Sequence, residues 1–470
     1  MKIILSNIIT IVEPTQEILN YCKKTLVYEN PDYATKKRLG LWLGKTPKHI
    51  SLYDYDGKCV YVPMGCFDDL WKIYPNKELY VDCTSVVKRD FSSKFNLREY
   101  QKPCLQALKK YVNGVFVLPC GLGKTEIGLA CAGYLKQKTL WIANTKDLVK
   151  QAKERCEMRI DCKTSLISEG KIDLSGDIIF STVQTLVNAV EKGLISQNEF
   201  GLIIVDECHL VAVNAETLGM FQTCINYFAS RYKLGLTATL HRANGLEVCI
   251  PKILGNVIYE IVKDKNDYVG MYENKEILRF PKNNFQVPAK INFIRTNYMP
   301  NEDIFDINGV MIFTKLITSL AEDKERNSLL INLAKKLPNS TIILSDRVNQ
   351  LKFLHENLPN SIEIDGSTNK KNREQAIEKV RNGEIKILLA SYQLAKLGLD
   401  IPRLENLILA TPVKDLTVVV QSIGRVQRPF ENKKIANVYD IVDDNVSSLN
   451  RFLTKRKSIY KKEGYDINGR

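Results

Sequence analysis

The chain has 470 residues, room for about three domains by length alone. Its 44% hydrophobic and 26% charged residues are the balance of a globular protein rather than a disordered or fibrous one. Lysine and arginine outnumber aspartate and glutamate by 67 to 53, and the resulting charge of +14 favours an anionic partner such as nucleic acid, although a basic surface can equally be merely solvated.

No stretch is long and apolar enough to span a membrane, so no membrane partner is expected. The apolar start, Ile3 to Val12, is interrupted by Ser6, Asn7 and Thr10 and lacks a cleavage signal, so it reads as a first β-strand rather than a secretory leader. Twelve cysteines, scattered without a Cys-x-x-Cys pair, read as reduced thiols in a cytoplasmic protein. An iron–sulfur cluster on Cys120, Cys131, Cys156 and Cys162 matches no ligand spacing.

Residues 1–94 are rich in tyrosine, with strand-like runs such as Cys59 to Val62 and turn signals at Asp56-Gly57 and Pro75-Asn76. They are expected to form a small accessory domain, mainly β or α+β. Within it, Lys36, Arg38 and Trp42, followed by Lys45, Lys48 and His49, combine cations with an aromatic ring, which suits phosphate neutralisation plus base stacking. The competing reading, of equal weight, packs Trp42 into the small core beneath a solvated basic loop.

From residue 95 the pattern alternates between strand and helix. Apolar strands are expected at Gly114 to Leu118, Thr139 to Ala143, Asp177 to Phe180, Leu202 to Val205 and Lys233 to Leu236, with helices between them. This implies an α/β fold with a parallel sheet covered on both faces, whose ligand lies at the carboxyl ends of the strands. Residues 95–262 form this first domain, and the polar stretch 263–310 reads as a linker and entry to a second. The same rhythm fills 311–450, with strands at Thr341 to Leu344, Ser361 to Ile364, Ile385 to Leu389, Asn406 to Leu409 and Asn437 to Ile441. Residues 451–470 read as a basic helix or frayed tail.

The chemistry concentrates at two strand ends. Leu118-Pro119-Cys120-Gly121-Leu122-Gly123-Lys124-Thr125 is a phosphate loop with a leucine where its first glycine would stand. Gly121 and Gly123 let backbone N–H groups approach phosphate oxygens, Lys124 neutralises the β and γ phosphates of a nucleotide, and Thr125 ligates Mg²⁺ at a helix start. The apolar strand Leu202 to Val205 delivers Asp206 and Glu207 to the same edge, Asp206 to hold Mg²⁺ and Glu207 to orient or deprotonate the attacking water. His209 is expected to hydrogen-bond between motifs rather than to ligate metal.

Asp206-Glu207-Cys208-His209, then Thr237-Ala238-Thr239, and finally Gln421-Ser422-Ile423-Gly424-Arg425-Val426-Gln427-Arg428 resemble the motifs of DECH-box superfamily 2 helicases and translocases. Leu97-Arg98-Glu99-Tyr100-Gln101 and Leu236 to Leu240 are similar to the XPB-like branch and the UvsW-like phage helicases. The resemblance implies two tandem RecA-like motor domains. It also implies that Arg98 and Gln101 contact adenine, and that Thr145, Thr182 and Gln184 line the nucleic-acid track of the first domain. Ser345, Arg347 and Ser391 would do so in the second, and Gly398 and Asp400 would contact nucleotide. Gln421, Arg425 and Arg428 would complete the ATP site by neutralising charge on the γ-phosphoryl group.

Two departures favour the compact phage-like type. Leu240 to Asn244 lacks the Arg-Glu-Asp element and thumb insertion of XPB-like proteins, and Ser422 replaces a common arginine. The implied function is that of a monomeric, ATP- and Mg²⁺-dependent, 3′ to 5′ motor on single-stranded, forked or branched DNA in replication, recombination or repair. If the gene is a phage's, it works in the host cytoplasm. RNA as the partner is the alternative within enzymes, and a nucleotide-gated clamp that binds without translocating is the alternative outside them.

Overall fold

The computed structural model describes the whole chain except residues 120, 169, 213–214, 241–244, 265–266, 283–285, 301, 307–310, 397–398, 400, 414 and 469–470. It forms two compact units, Met1–Val262 with Val269–Arg279, and Lys263–Tyr268 with Phe280–Arg470. Both contain a parallel sheet between helices, the arrangement of tandem RecA-like domains. No helix among the described residues is long and apolar enough to cross a membrane.

In the first unit, parallel strands lie in the order Thr164–Ser168, Ile178–Thr182, Thr139–Ala143, Leu202–Val205, Tyr232–Thr237, Asn113–Val117 and Val257–Asp264. The central strands are buried along both faces, which is why they read as continuous apolar runs, Leu202-Ile203-Ile204-Val205 above all. Their alignment brings the turns after Val117, Val205 and Thr237 to one edge. Asp267–Tyr272 and Lys275–Pro281 then extend the sheet. The stretch expected to be a linker therefore contains regular strands: Tyr268 and Val269 are buried, but the polar residues around them hide the apolar pair from a sequence reading.

Residues 1–82 build a separate five-stranded sheet in which Lys2–Leu5 pairs antiparallel with Ile9–Val12 and parallel with Tyr80–Asp82. With helices Gln16–Thr25, Pro31–Arg38 and Phe67–Ile73 it is an α+β element. It is docked onto the first parallel-sheet domain rather than tethered to it. Ile3, Ile11 and Val60 belong to the same apolar cluster as Val115 and Ile250. Lys252 Nζ binds Asp69 at 2.5 Å, and Asn256 binds Asp68 at 3.1 Å. A Cβ on Gly65 would lie 2.5 Å from the carbonyl oxygens of Pro251 and Lys252, so only glycine permits that approach.

The second unit has an all-parallel sheet in the order Ser361–Ile364, Ile387–Ser391, Thr341–Ser345, Asn406–Leu409, Ala436–Val442, Ala289–Arg295 and Asp466–Asn468. Ala289–Arg295, expected to precede this domain, is thus one of its inner strands. The basic tail is a helix, Ser447–Lys462, anchored by Arg456, whose guanidinium grips buried Asp440 at 2.8 and 2.9 Å while Tyr460 donates to the same carboxylate.

Candidate functional site

The phosphate-loop sequence leaves the strand Asn113–Val117 and enters the helix Lys124–Leu135 through a turn that needs its glycines. Gly121 and Gly123 have φ of +87° and +79°, the left-handed region. Leu118 N–H, at the position of the missing first glycine, donates to the Thr237 carbonyl at 2.8 Å, so the strand end is fixed by main-chain pairing. Thr125 is half-buried in the first turn of the helix.

Beside it stands the acidic pair. Lys124 Nζ lies 3.5 Å from Glu207 Oε1, Glu207 Oε2 lies 3.2 Å from His209 Nδ1, and His209 Nδ1 lies 3.1 Å from the Thr237 hydroxyl. That hydroxyl donates in turn to the Thr239 carbonyl at 2.8 Å. One polar chain therefore joins the phosphate loop, the Asp-Glu pair and the Thr-Ala-Thr segment, and His209 bridges them as expected. Glu207 holds φ of +49°, strained for a residue with a side chain and of the kind that gathers at functional sites. Burial pushes the Asp206 carboxyl up to about 7, the charge of Glu207 adds to the rise, and Lys124 opposes it.

On the other side of the glycines, Gln101 Nε2 donates to the Leu122 carbonyl at 3.1 Å, while Arg98 N–H donates to Gln101 Oε1 at 3.0 Å and Arg98 Nη1 to the Tyr100 hydroxyl at 3.1 Å. A Cβ on Gly123 would sit 2.8 Å from Gln101 Nε2. These residues wall a cavity of about 310 Å³ that Phe95, Glu126 and Arg159 complete. Sequence reasoning missed Phe95 and Arg159. Arg159 ends the helix Lys146–Arg159 and pairs with Glu126 at 3.4 Å, a contact between distant stretches that leaves no local pattern.

Thr145 and Thr182 come together through the register of adjacent strands, Ala143 opposite Thr182. Each caps a helix, the Thr145 hydroxyl accepting from Leu148 N–H at 3.3 Å and Thr182 from Thr185 N–H at 3.4 Å. Exposed Gln184 donates to Asn144 Oδ1 at 3.4 Å. Two helix N-termini at one sheet edge, with their dipoles' positive ends outward, suit a phosphate backbone. The accessory element removes the core-packing reading of Trp42: the ring is 87% exposed, lies over Gly44, and is flanked by Leu39 and Leu41, so it belongs to no core. Lys36 donates to the Thr46 hydroxyl at 2.8 Å, and Arg38 is exposed nearby.

In the second unit Ser345 and Ser391 lie opposite each other at the ends of paired strands. Ser345 is fully buried and donates to Gln350 at 2.7 Å, so it shapes the turn rather than the surface. Arg347 is spread over the helix Phe313–Glu322, donating to the Thr318 hydroxyl and the Thr314 carbonyl at 3.0 Å each. Gln421 and Arg425 lie one turn apart on one face of the helix Leu416–Val426, and Arg428 follows its end. Ser422, where an arginine is common, is buried against the core. Lys433 was not foreseen: its ammonium is tied to the Arg428, Pro402 and Leu404 carbonyls at 2.8, 3.1 and 2.6 Å, and burial lowers its pKa to about 8. Gly398 and Asp400, expected to touch nucleotide, lie outside the described residues, as do His241 to Asn244.

Two family models match the chain. Residues 94–242 match the type III restriction enzyme res subunit family, and residues 325–429 match the helicase conserved C-terminal domain. The chain carries both motor domains of a superfamily 2 helicase. Among this helicase's curated relatives, the DNA 3′-5′ translocase XPB2 of Sulfurisphaera tokodaii is 26% identical over 78% of this chain and 88% of its own. The probable helicase D10 of Escherichia phage T5 is 26% identical over 99% and 95%. Among solved structures, Dbp5 of S. cerevisiae bound to RNA and ADP BeF3 superposes with a TM-score of 0.54 at 16% identity, covering 78% of this chain and 88% of that one, which establishes likeness of fold alone.

The helicase's nucleotide edge fits ATP with Mg²⁺. The missing Cβ of Gly123 makes room for the Gln101 amide beside the glycine turn, and burial raises the pKa of the Asp206 carboxyl, whose charged form a bound cation would favour. No group of three His, Cys, Asp or Glu side chains that could hold a metal occurs among the described residues; Asp206 and Thr125 would hold Mg²⁺ together with phosphate oxygens and water.

Proposed function

We propose that this helicase is an ATP-driven DNA motor, moving 3′ to 5′ and unwinding or remodelling forked or branched DNA. The observation that carries the ATPase reading is the polar chain Lys124–Glu207–His209–Thr237, which ties the phosphate loop to the acidic pair and onward to the Thr-Ala-Thr segment. Lys124 neutralises the β and γ phosphates, Thr125 and Asp206 hold Mg²⁺, and Glu207 takes a proton from the attacking water. Gly121, Gly123, Arg98 and Gln101 seat the nucleotide. Bound Mg²⁺ supplies charge neutralisation at the transferred phosphoryl group.

Gln421, Arg425 and Arg428 are assigned to sensing and stabilising that phosphoryl group, with Lys433 holding the Arg428 main chain in place. Because Glu207 is linked through His209 to Thr237, a change at the γ-phosphate is transmitted to the segment that follows Thr239. The paired helix N-termini at Thr145 and Thr182, and the Lys36, Arg38 and Trp42 projection, are assigned to the phosphate backbone and to base stacking respectively. DNA and the 3′ to 5′ direction are taken from the archaeal relative's name.

ATPase rates with single-stranded DNA, a forked duplex and RNA of matched length test the reading. Stimulation by DNA, strongest with the fork, is expected, and stimulation by RNA alone overturns the choice of substrate.

A further inference from the structure

The eleven cysteines among the described residues are all free thiols, and most are isolated packing residues. One pair differs. Cys156 Sγ and Cys162 Sγ lie 3.9 Å apart, Cys156 buried in the last turn of the helix Lys146–Arg159 and Cys162 half-buried in the turn that leads to Thr164–Ser168. The arc between them carries Arg159, which lines the nucleotide cavity and pairs with Glu126, and Ile160–Asp161, which pairs antiparallel with Ser92–Ser93. A covalent tie between the two sulfurs therefore acts on one wall of that cavity.

We propose that Cys156 and Cys162 form a reversible disulfide site, oxidised by exchange with a small-molecule disulfide such as oxidised glutathione, and that closing it weakens nucleotide binding by displacing Arg159. The sulfurs need only approach by about 2 Å to reach bonding distance. Cys162 is the accessible thiol and attacks first: its thiolate displaces one small thiolate from the oxidant and forms a mixed disulfide. Cys156 then attacks the Cys162 sulfur, completing the Cys156–Cys162 bond and releasing the second small thiolate. Two electrons pass from the pair to the oxidant, and the two protons lost by the cysteines end on the two released thiols. The hydrogen bond with Cys156 draws the Cys162 pKa down against the opposing pull of burial and the Asp177, Asp161 and Glu157 carboxylates, which favours Cys162 as the attacking thiolate. The thiol pair stands on its own geometry; its effect on nucleotide rests on the ATP site proposed above.

Trypsin cleaves after Arg155, Arg159 and Lys163, so the two cysteines leave the chain in separate tetrapeptides, Cys156 to Arg159 and Ile160 to Lys163. The full chain is equilibrated with oxidised glutathione, alkylated, digested and mapped by mass spectrometry, and its affinity for a fluorescent ATP analogue is measured before and after. The expected result is the two tetrapeptides joined by a disulfide that dithiothreitol releases, exposed Cys83 carrying only glutathione, and a nucleotide Kd raised about two- to fivefold, the worth of one half-exposed ion contact. Cys162→Ser should lose both the joined species and the response of Kd to oxidant. Recovery of Cys156 and Cys162 only as separate alkylated or glutathionylated peptides overturns the site. A joined species with unchanged Kd overturns the coupling to the cavity. Failure of the reduced protein to bind the analogue counts against the ATP site instead, and the peptide map still decides the thiol pair.

Discussion

Lys233 offers a quantitative test of how the accessory element is held to the motor. Its side chain is wholly buried, and its ammonium donates to the carbonyls of Asn7 and Ile225 at 2.9 Å each, one in the accessory element and one in the motor. Burial lowers its pKa from 10.5 to about 7. Between those two values the unfolded chain binds the proton and the folded one does not, so the Lys233 contribution to stability improves as pH rises through that window. A shift of this size is worth about 5 kcal/mol in all, of which about 3 kcal/mol is relieved between pH 6 and pH 9. Lys233→Met removes the titration and leaves two carbonyls without a donor.

All three tryptophans, Trp42, Trp71 and Trp141, lie in the first unit, and Trp141 is fully buried, so fluorescence-detected urea unfolding reports that unit. The stability difference, parent minus Lys233→Met, should grow in the parent's favour by about 3 kcal/mol from pH 6 to pH 9 at constant ionic strength. A difference independent of pH would refute the reasoning.

Other perturbations address the site. Glu207→Gln should keep ATP-analogue affinity and lower turnover by about 10²- to 10⁴-fold, measured by phosphate release. Gly123→Ala forces a side chain into a left-handed backbone and against Gln101, so equilibrium titration should show nucleotide binding lost, with Tm lowered as well by the strain. Trp42→Ala should leave Tm unchanged, because the ring packs into no core, yet weaken single-stranded DNA binding by about 1–3 kcal/mol in anisotropy titrations. Unchanged affinity would remove the stacking role. Arg425→Ala should slow hydrolysis by about 10³-fold or more with ATP binding retained, and equal loss of both would place Arg425 in nucleotide binding instead.

What could be read from the sequence is what depends on short runs. The turn at Gly121 to Thr125 and the pair after Leu202–Val205 announce themselves because glycine, lysine and carboxylates follow buried strands, and the alternation of strand and helix gives both sheets. Contacts across long separations could not be read: the grip of Lys233 on Asn7, the close approach at Gly65, and Arg159 meeting Glu126 need the folded chain. Tyr268 and Val269 hid because their short strand is flanked by the polar runs Lys263 to Asp267 and Glu273 to Glu276, which mask its apolar pattern. Ser345, chosen as a nucleic-acid contact, is buried, because a motif match fixes where a residue sits along a strand but not which way its hydroxyl turns. Trp42 could have stood in a core or on the surface, and only the fold places it in solvent.

The central claim, that ATP hydrolysis at Glu207 drives 3′ to 5′ movement on DNA, is tested most directly by strand displacement from duplexes carrying a single 3′ or 5′ tail, with Glu207→Gln alongside. Displacement from the 3′-tailed duplex only, requiring ATP and abolished in the variant, is the expected result. Displacement from the 5′-tailed duplex alone, or undiminished displacement by Glu207→Gln, would contradict it.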